Sequence, residues 1–313
     1  MPSEFTLIDR YFKRPTPTAV LGVGDDCALL RPTPGTELAV TTDMLVAGTH
    51  FYADTDPEDL GWKTLAVNIS DIAAMGATPR WATLALALPA VDEAWLAAFA
   101  KGLFACAEAF GVALVGGDTT RGPLTFSITL LGEVPIGQAL RRGNARAGDE
   151  VWVSGTPGMA ALGLAHLQGR CALADPTPCL AALHHPQPRV ALGLGLRGLA
   201  SACIDISDGL LADLGHILAQ SGLTATLQVE KLPATGVDDA LAMECLLAGG
   251  DDYELAFTAP VTAHGAIEAL GRELALPLRC IGTLGHGNPG TIALLDATGR
   301  PLPTARKGYD HFA

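Results

Sequence analysis

The chain has 313 residues, of which 49% are hydrophobic and 17% are charged, so it is long and apolar enough for two folded domains and is not intrinsically disordered. Its formal net charge of -13 would repel nucleic acids and anionic membranes, so metal cations or basic partners fit better. The seven cysteines are scattered without a C-x-x-C pair, which indicates neither a disulfide framework nor a zinc site.

The N-terminal sequence MPSEFTLIDRYF has no apolar segment preceded by positive charge, so it does not resemble a secretory signal. No stretch of about 18 apolar residues occurs further along, and the sequence therefore predicts no membrane-spanning helix. We expect a cytoplasmic protein that binds neither membranes nor nucleic acids.

Strand and helix patterns alternate up to about residue 135, which is typical of an α/β domain. The apolar run over 37–43 predicts a strand that ends in Thr41, Thr42 and Asp43. From Pro57 to Gly76 apolar residues recur at helical spacing, with Asn68 and Asp71 on one side of the predicted helix. The next predicted elements are a strand over 80–89, a helix over 92–111, and strands over 112–116 and 124–134.

The polar, glycine-containing segment over 136–149 is the best candidate for a domain junction, which predicts domains over 1–137 and 138–313. A second α/β series follows this junction. Its predicted strands lie over 150–155, 202–207, 225–230, 253–258 and 278–284, and its predicted helices over 156–168, 208–222, 237–248 and 262–274. The start of the segment over 170–190, which has four prolines, reads as a loop.

Small clusters of aspartate with glycine, serine or threonine recur along the chain. One such cluster is weak support for a site, because Gly and Asp are common turn residues. Most members of the set, however, follow apolar segments, where an α/β fold gathers its site-forming loops. The aspartates concerned are Asp26, Asp43, Asp71, Asp118, Asp205, Asp208 and Asp251.

Carboxylates that converge in this way would repel one another unless cations lay between them. Oxygen ligands from Asp and Thr, without clustered Cys or His, favour Mg²⁺, Mn²⁺ or Ca²⁺ over zinc or copper. Mg²⁺ is the first choice, because it is commonly held by a few carboxylates together with phosphate oxygens. Gly116 and Gly117 would let a phosphate approach the backbone, although the two common nucleotide-binding signatures are absent.

Seven motifs, in order and at matching spacing, resemble the thiamine-monophosphate kinase family, within the superfamily typified by aminoimidazole ribonucleotide synthetase. They are GVGDDCALL (22–30), TTDMLVAGTHF (41–51), KTLAVNISDIAAMGA (63–77), VGGDTTRGP (115–123), DISDGLLADLGHI (205–217), GGDDYELAFT (249–258) and KGYDHF (307–312). The resemblance implies a two-domain α/β fold of the α+β type with ATP between the domains. It also implies a homodimer in which the N-terminal sheet pairs with that of a second subunit to form a barrel, while the C-terminal α/β domain packs against it.

The resemblance further implies transfer of the ATP γ-phosphate to thiamine monophosphate, with several Mg²⁺ ions and with Asp43, Asp71 and Asp118 at the catalytic centre. The implied metal ligands are Asp26, Thr41, Thr42, Asp43, Asp71, Asp118, Asp205 and Asp208. The implied ATP contacts are Gly117, Asp118, Arg142 and Ser207, and the implied substrate contacts are His50, Asp251 and Tyr309. The family usually reads GGEDYEL, and in this chain the third position is Asp251, one methylene shorter than Glu.

An acceptor phosphate with a second pKa of about 6 is already mostly ionised at neutral pH, so this reaction needs no general base and no covalent intermediate. Two alternatives remain open. One is another ATP-using enzyme of the superfamily, such as a selenophosphate synthetase or a hydrogenase maturation factor. The first 20 residues lack the reactive cysteine of the former, and the chain ends YDHFA without the terminal cysteine of the latter. The other alternative is a non-catalytic protein that binds divalent metals.

Overall fold

The computed structural model describes residues 3–235, 240–303 and 308. The chain divides into two compact units. The first contains Met1–Ile72 and Ala77–Gly137, and the second contains Ala73–Gly76 and Gln138–Ala313. Among the helices in the described ranges, none combines the length and apolar composition that a membrane span needs.

The first unit is a four-stranded sheet with accompanying helices. In chain order its elements are α1 (Glu4–Leu7), which continues as a π-helical turn over Ile8–Phe12, β1 (Thr36–Val46), α2 (Pro57–Ala74), β2 (Thr78–Leu88), α3 (Glu93–Phe110), β3 (Ala113–Arg121) and β4 (Thr125–Pro135). The strand order is β1-β4-β2-β3. Strand β4 is antiparallel to both its neighbours, and β2 and β3 are parallel, so β1 and β3 form the two edges.

Helices α2 and α3 approach each other to backbone contact at two glycines. A Cβ atom on Gly102 would lie 1.8 Å from the carbonyl oxygen of Glu58, and one on Gly61 would lie 2.1 Å from that of Phe99. Both distances are far below van der Waals contact, so no larger residue fits at either position without separating the helices.

The two faces of the first sheet differ in exposure. One face carries the apolar core, in which Phe126, Ile128 and Leu130 of β4 are fully buried. On the other face, Val40 and Met44 of β1 are 61% and 56% exposed. This alternation follows from the two-residue period of a strand, and it leaves one face of the sheet open within this unit.

The second unit is a seven-stranded sheet with strand order β11-β10-β7-β9-β5-β8-β6. Its strands are β5 (Glu150–Ser154), β6 (Ala202–Asp205), β7 (Thr224–Gln228), β8 (Leu255–Ala259), β9 (Leu278–Gly285), β10 (Ile292–Leu295) and β11 (Pro301–Leu302). Its helices are α4 (Met159–Leu167), α5 (Thr177–His184), α6 (Val190–Leu196), α7 (Leu210–Ser221), α8 (Ala240–Ala248) and α9 (His264–Glu273).

Helices cover both faces of this sheet. On one face, Leu214 and Ile217 of α7 join a core with Val151 and Val153 of β5. On the other, residues of α6 and α9 pack around Trp152, the residue between those two valines. A strand whose successive side chains are all buried requires a covered sheet, and the three-layer arrangement supplies it.

The sequence did not predict two helices that the structure shows between residues 177 and 196. The loop predicted at the start of the segment over 170–190 is present, but two helices, α5 and α6, follow within it and after it. Pro178 lies in the first turn of α5, where a missing N–H costs no intrahelical hydrogen bond. The prolines therefore begin a helix here.

Candidate functional site

In the first unit, strand β1 and helix α2 bring together three of the predicted site residues. The Thr41 hydroxyl donates a short hydrogen bond to Oδ2 of Asp71. Two residues along the same strand, the backbone N–H of Asp43 donates to Oδ1 of Asn68, at 3.0 Å. Asn68 and Asp71 lie one helical turn apart on α2. Through these two hydrogen bonds α2 holds Thr41 and Asp43 of the edge strand β1.

The buried amide of Asn68 was not predicted as a site residue. Its side chain is 1% exposed, and its Nδ2 donates to the carbonyl of Thr64 at 3.2 Å. Both the oxygen and the nitrogen of the amide therefore have hydrogen-bond partners, and these orient the oxygen towards β1. The only sequence signal for this role is its place three residues before Asp71 on the same helix.

Asp118 does not join this group within one chain. It lies on β3, at the opposite edge of the sheet from β1, and three strand spacings amount to about 14 Å. Asp118 is exposed, and its Oδ1 accepts the N–H of Thr119 at 2.9 Å. The sequence pattern placed Asp43 at the end of a strand and Asp118 after one, whereas the structure places both within strands that extend past them.

Gly117, beside Asp118, has a structural reason to be glycine. Its φ is 154°, and a Cβ there would lie 1.9 Å from the carbonyl oxygen of Leu84 on the neighbouring strand. The close approach of β2 and β3 therefore excludes any side chain at 117. Gly116 has more space, because a Cβ there would meet only the Thr83 methyl within 4 Å, at 3.7 Å.

The other predicted residues of the first unit have the following local contacts. Thr42 faces the open side of the sheet, where its hydroxyl lies 2.9 Å from that of Thr129. Asp26 is exposed in a loop, and its N–H donates to Oδ1 of Asp25 at 2.9 Å. His50 lies in the turn after β1, where Nδ1 accepts the N–H of Val46 at 3.0 Å. That bond leaves the neutral ring with its proton on Nε2.

In the second unit, Asp205 is the last residue of β6, and the turn that follows carries Ser207 and Asp208. Three consecutive backbone N–H groups, from Ser207, Asp208 and Gly209, all donate to Oδ2 of Asp213 at 3.0 Å. Asp213 lies in the first turn of α7 and is 3% exposed. Since these amides are already satisfied, Ser207 has only its side chain to offer a ligand.

Burial raises the pKa of Asp213 to about 7, and the neighbouring carboxylate of Asp208 acts in the same direction. The three backbone N–H donors lower it, because they favour the ionised form. Sequence analysis did not select Asp213, since an acidic residue in the first turn of a helix is expected on dipole grounds alone.

The GGDD segment lies directly against this turn. The N–H of Asp251 donates to the carbonyl of Ser207 at 2.9 Å, and that of Tyr253 donates to the carbonyl of Ile206 at 2.8 Å. Asp251 and Tyr253 both have left-handed backbone conformations, with φ of 69° and 53°. A left-handed tyrosine is an uncommon, strained arrangement, and the surrounding hydrogen bonds maintain it. The structure thus places Asp251 beside Ser207 and Asp208.

Two acidic residues that follow Asp251 in the chain, Asp252 and Glu254, have structural partners. Asp252 is 9% exposed and accepts N–H groups at the start of α4, from Gly158 at 2.7 Å and Ala160 at 3.3 Å. Burial raises the pKa of Asp252 well above its ordinary value. Glu254 forms a two-pronged ion pair with Arg189, at 2.7 and 2.5 Å. These contacts fix both ends of the strained segment.

Arg142 and Tyr309 are the two remaining predicted residues. Arg142 is exposed in the turn Arg142–Asn144, where its carbonyl accepts the Ser221 hydroxyl at 3.0 Å. Tyr309 lies outside the described residues. Within the described ranges, no three of the predicted aspartates bring carboxylate oxygens within 4.8 Å of one another.

Comparison with known proteins adds the following similarities. Residues 24–134 match the family described as AIR synthase related protein, N-terminal domain. The chain is 48% identical to the thiamine-monophosphate kinase of Salmonella typhimurium, an alignment that covers 99% of this chain and 98% of that protein.

Solved structures agree with this similarity. The thiamine-monophosphate kinase of Stenotrophomonas maltophilia superposes with a TM-score of 0.86 at 46% identity, covering 96% of this chain and 98% of that one. AaThiL complexed with AMPPCP and TMP superposes with a TM-score of 0.78 at 30% identity, covering 90% and 89%.

Proposed function

The chain belongs to the thiamine-monophosphate kinase family, and we propose that it transfers the γ-phosphate of ATP to thiamine monophosphate, giving thiamine diphosphate. The observation that carries this proposal is similarity along the full length of the relatives. The relative that was solved with an ATP analogue and TMP supports both substrates. The predicted fold class and family are confirmed.

We propose Mg²⁺ as the metal. Thr41, Asp43 and Asp71 offer hard oxygen donors on adjacent elements, which is the ligand type that Mg²⁺ prefers. The described aspartates form no three-carboxylate cage, but Mg²⁺ is usually held by one or two carboxylates together with substrate phosphates. The donor set therefore fits this ion. When bound, Mg²⁺ would offset the negative charge of the phosphates.

The proposed roles of the chain's own residues follow from the family motifs in which they lie. In the first unit, Asp43 and Asp71 supply carboxylates on β1 and α2, and Asp26, Thr42 and Asp118 are proposed as further metal ligands. In the second unit, Asp205 and Asp208 are proposed metal ligands. Gly117, Asp118, Arg142 and Ser207 are proposed ATP contacts, and His50, Asp251 and Tyr309 are proposed substrate contacts.

A direct transfer needs no proton acceptor, since the acceptor phosphate is already mostly ionised at neutral pH. Nucleophile and leaving group must instead be held in line, with their charge offset. His50 contributes a fixed N–H donor at Nε2, because the Val46 amide occupies its Nδ1. We therefore assign His50 to binding the substrate phosphate and not to proton transfer.

We also propose that the protein is a cytoplasmic homodimer. The open face of the first sheet exposes apolar side chains, including Val40 and Met44, and pairing with a second copy would cover them. Light scattering on the purified protein should give twice the mass of one chain. A double variant, Val40→Glu with Met44→Glu, should shift the protein towards monomer, and an unchanged mass in that variant would contradict this arrangement.

The activity is tested by incubating the protein with ATP, Mg²⁺ and thiamine monophosphate and measuring thiamine diphosphate. Free thiamine, which offers a hydroxyl in place of a phosphate, is the control acceptor. We expect product from the monophosphate and none from thiamine. Preference for free thiamine would overturn the substrate assignment, and Mg²⁺ binding without any nucleotide turnover would favour a metal-binding protein.

A further inference from the structure

A second group of ligand-type side chains lies in the second unit, on elements that the kinase site does not use. It consists of Glu150 at the start of β5, Cys280 on β9 and His264 at the first position of α9. One ligand atom from each residue lies within 4.8 Å of the other two. It is the only such group of three among the described residues.

The contacts within this group are close. Nδ1 of His264 lies 2.9 and 3.0 Å from the two carboxylate oxygens of Glu150. In a tetrahedral zinc site, ligand atoms at 2.0 to 2.3 Å from the metal are separated by roughly 3.5 Å. The imidazole and carboxylate are therefore already near metal-binding distance, and the thiol, within 4.8 Å of both, needs an inward shift of at most about 1.3 Å.

Neighbouring residues hold the group in the way that metal ligands are usually held. The indole Nε1 of Trp152 donates to Oε2 of Glu150 at 3.2 Å, and the indole ring lies edge to face with His264 at 4.8 Å. The second ring nitrogen of His264 lies 3.6 Å from Oε1 of Glu268. A carboxylate facing the other nitrogen is the usual companion of a metal-bound histidine, because it fixes the tautomer that presents the lone pair.

An ordinary ion pair between His264 and Glu150 explains part of this geometry. It does not explain why the thiol of Cys280, the cross-strand partner of Trp152, lies on the same side of the sheet; this thiol also donates a weak hydrogen bond to the carbonyl of Gly282 at 3.8 Å. Burial and the carboxylate of Glu150 raise the pKa of this thiol above its ordinary value, although the Gly282 backbone and Lys231 act in the opposite direction. A metal would displace the thiol proton and offset the repulsion between thiolate and carboxylate.

We propose that Glu150, His264 and Cys280 form a binding site for one Zn²⁺ ion, with water as the fourth ligand. Sulfur, imidazole and carboxylate together select zinc over Mg²⁺, which prefers oxygen ligands alone. His264 is 42% exposed, so an ion can enter from solvent. The site would tie the start of α9 to strands β5 and β9. Its ligands are 114 and 16 residues apart along the chain, so no sequence motif reveals it.

The test is a Co²⁺ titration of the full-length protein after treatment with a chelator, in excess Mg²⁺ that occupies the oxygen-ligand sites. Cobalt bound to a thiolate gives a near-ultraviolet charge-transfer band that oxygen ligands do not give. We expect one equivalent of Co²⁺ to produce this band and Zn²⁺ to remove it. Cys280→Ser should lack the band, while Cys27→Ser, at an exposed cysteine of the other unit, should retain it.

Two further variants separate the site from a simple ion pair. His264→Gln should weaken Co²⁺ binding by at least tenfold, and Glu268→Gln by roughly tenfold through the histidine. Zn²⁺ should raise the unfolding temperature of the unmodified protein but not that of Cys280→Ser, with circular dichroism confirming that both are folded. No thiolate band, a band that persists in Cys280→Ser, or unchanged affinity in His264→Gln would each overturn the proposal.

Discussion

The carboxylate of Asp213 accepts the backbone N–H of Ser207, six residues earlier in the chain, at 3.0 Å, and the next two amides donate to the same oxygen. A single buried side chain thus shapes the turn that carries the proposed Ser207 and Asp208 ligands. Any disturbance of Asp213 reaches the site through the backbone, without removing a proposed ligand.

Replacing Asp213 with Ala should destabilise the second unit, because three N–H groups around a buried position lose their acceptor. We expect a loss of at least about 2 kcal/mol in the free energy of unfolding, measured by urea denaturation, and a higher KM for ATP. Asp213→Asn keeps one acceptor oxygen and should show smaller effects on both quantities. Equal behaviour of the Ala and Asn variants would show that these hydrogen bonds do not order the turn.

Glu133 should make folding of the first unit sensitive to acid. Burial raises the pKa of Glu133, but the N–H and hydroxyl of Thr33 and the guanidinium of Arg80 outweigh it, so the pKa is below its ordinary value. The stabilisation is therefore complete above the unfolded-state value of about 4.3 and is lost as the pH falls through the lower folded-state value.

Glu133→Gln should accordingly lower the free energy of unfolding at pH 7 by about 1–2 kcal/mol. This difference from the unmodified protein should disappear in acid. Urea titrations at a series of pH values measure it, and Glu108→Gln, at an exposed position on α3, is the matched control. A difference that stayed constant down to pH 3 would mean that ionisation of Glu133 contributes nothing.

Replacement by alanine should have opposite effects at Gly102, where α3 contacts α2, and at Gly215, inside α7. Gly102→Ala would place a methyl group against the Glu58 carbonyl and should destabilise the protein by at least about 1–3 kcal/mol. Gly215, inside α7, has nothing within 4 Å of its would-be Cβ, so Gly215→Ala should stabilise by about 0.5–1 kcal/mol. Thermal unfolding midpoints that shift in the same direction for both variants would contradict this packing.

Replacing Asp251 tests whether this residue, one methylene shorter than the glutamate usual in the family, contacts the substrate. Its φ of 69° is tolerated by Asp and Asn better than by most residues, so Asp251→Asn should keep the fold while removing the charge. We expect the KM for thiamine monophosphate to rise by roughly tenfold, more than the KM for ATP. Tyr253→Phe, which removes the 3.1 Å hydrogen bond to Asp251 and keeps the Asp251 carboxylate, is the control. If both KM values stayed unchanged, the proposed contact would be absent.

Local patterns predicted α3 well, because its start and end depend on neighbours in the chain. Asp92 caps its first amides, and Gly111 ends it in a left-handed conformation, as expected. The strand over 112–116 was predicted too short, because its continuation through Asp118 to Arg121 depends on pairing with β2. Pairing with a distant strand overrides a turn-like composition, and the local sequence does not contain that information.

The same distinction applies to the candidate site. Sequence motifs identified the family, and the short spacing of Asn68 and Asp71 indicated that they share one side of a helix. The capture of three amides by Asp213 and the contact between Asp251 and Ser207 join segments through tertiary structure, so periodicity could not predict them. The separation of Asp118 from Asp43 likewise follows only from the strand order.

Asp43 is the most direct test of the proposed metal site. Its amide is fixed by Asn68, so Asp43→Asn should keep the backbone contact, and only the charge at the side chain changes. If this carboxylate helps to hold Mg²⁺, the variant should need more Mg²⁺ for half-maximal rate and should lose at least about 100-fold in kcat, since charge neutralisation is the main task in phosphoryl transfer. Rates measured across a Mg²⁺ titration, beside Glu108→Gln as an exposed-carboxylate control, provide the test. A near-normal kcat with an unshifted Mg²⁺ dependence would remove Asp43 from the mechanism. Asp71, on α2, would then have to hold the metal without Asp43.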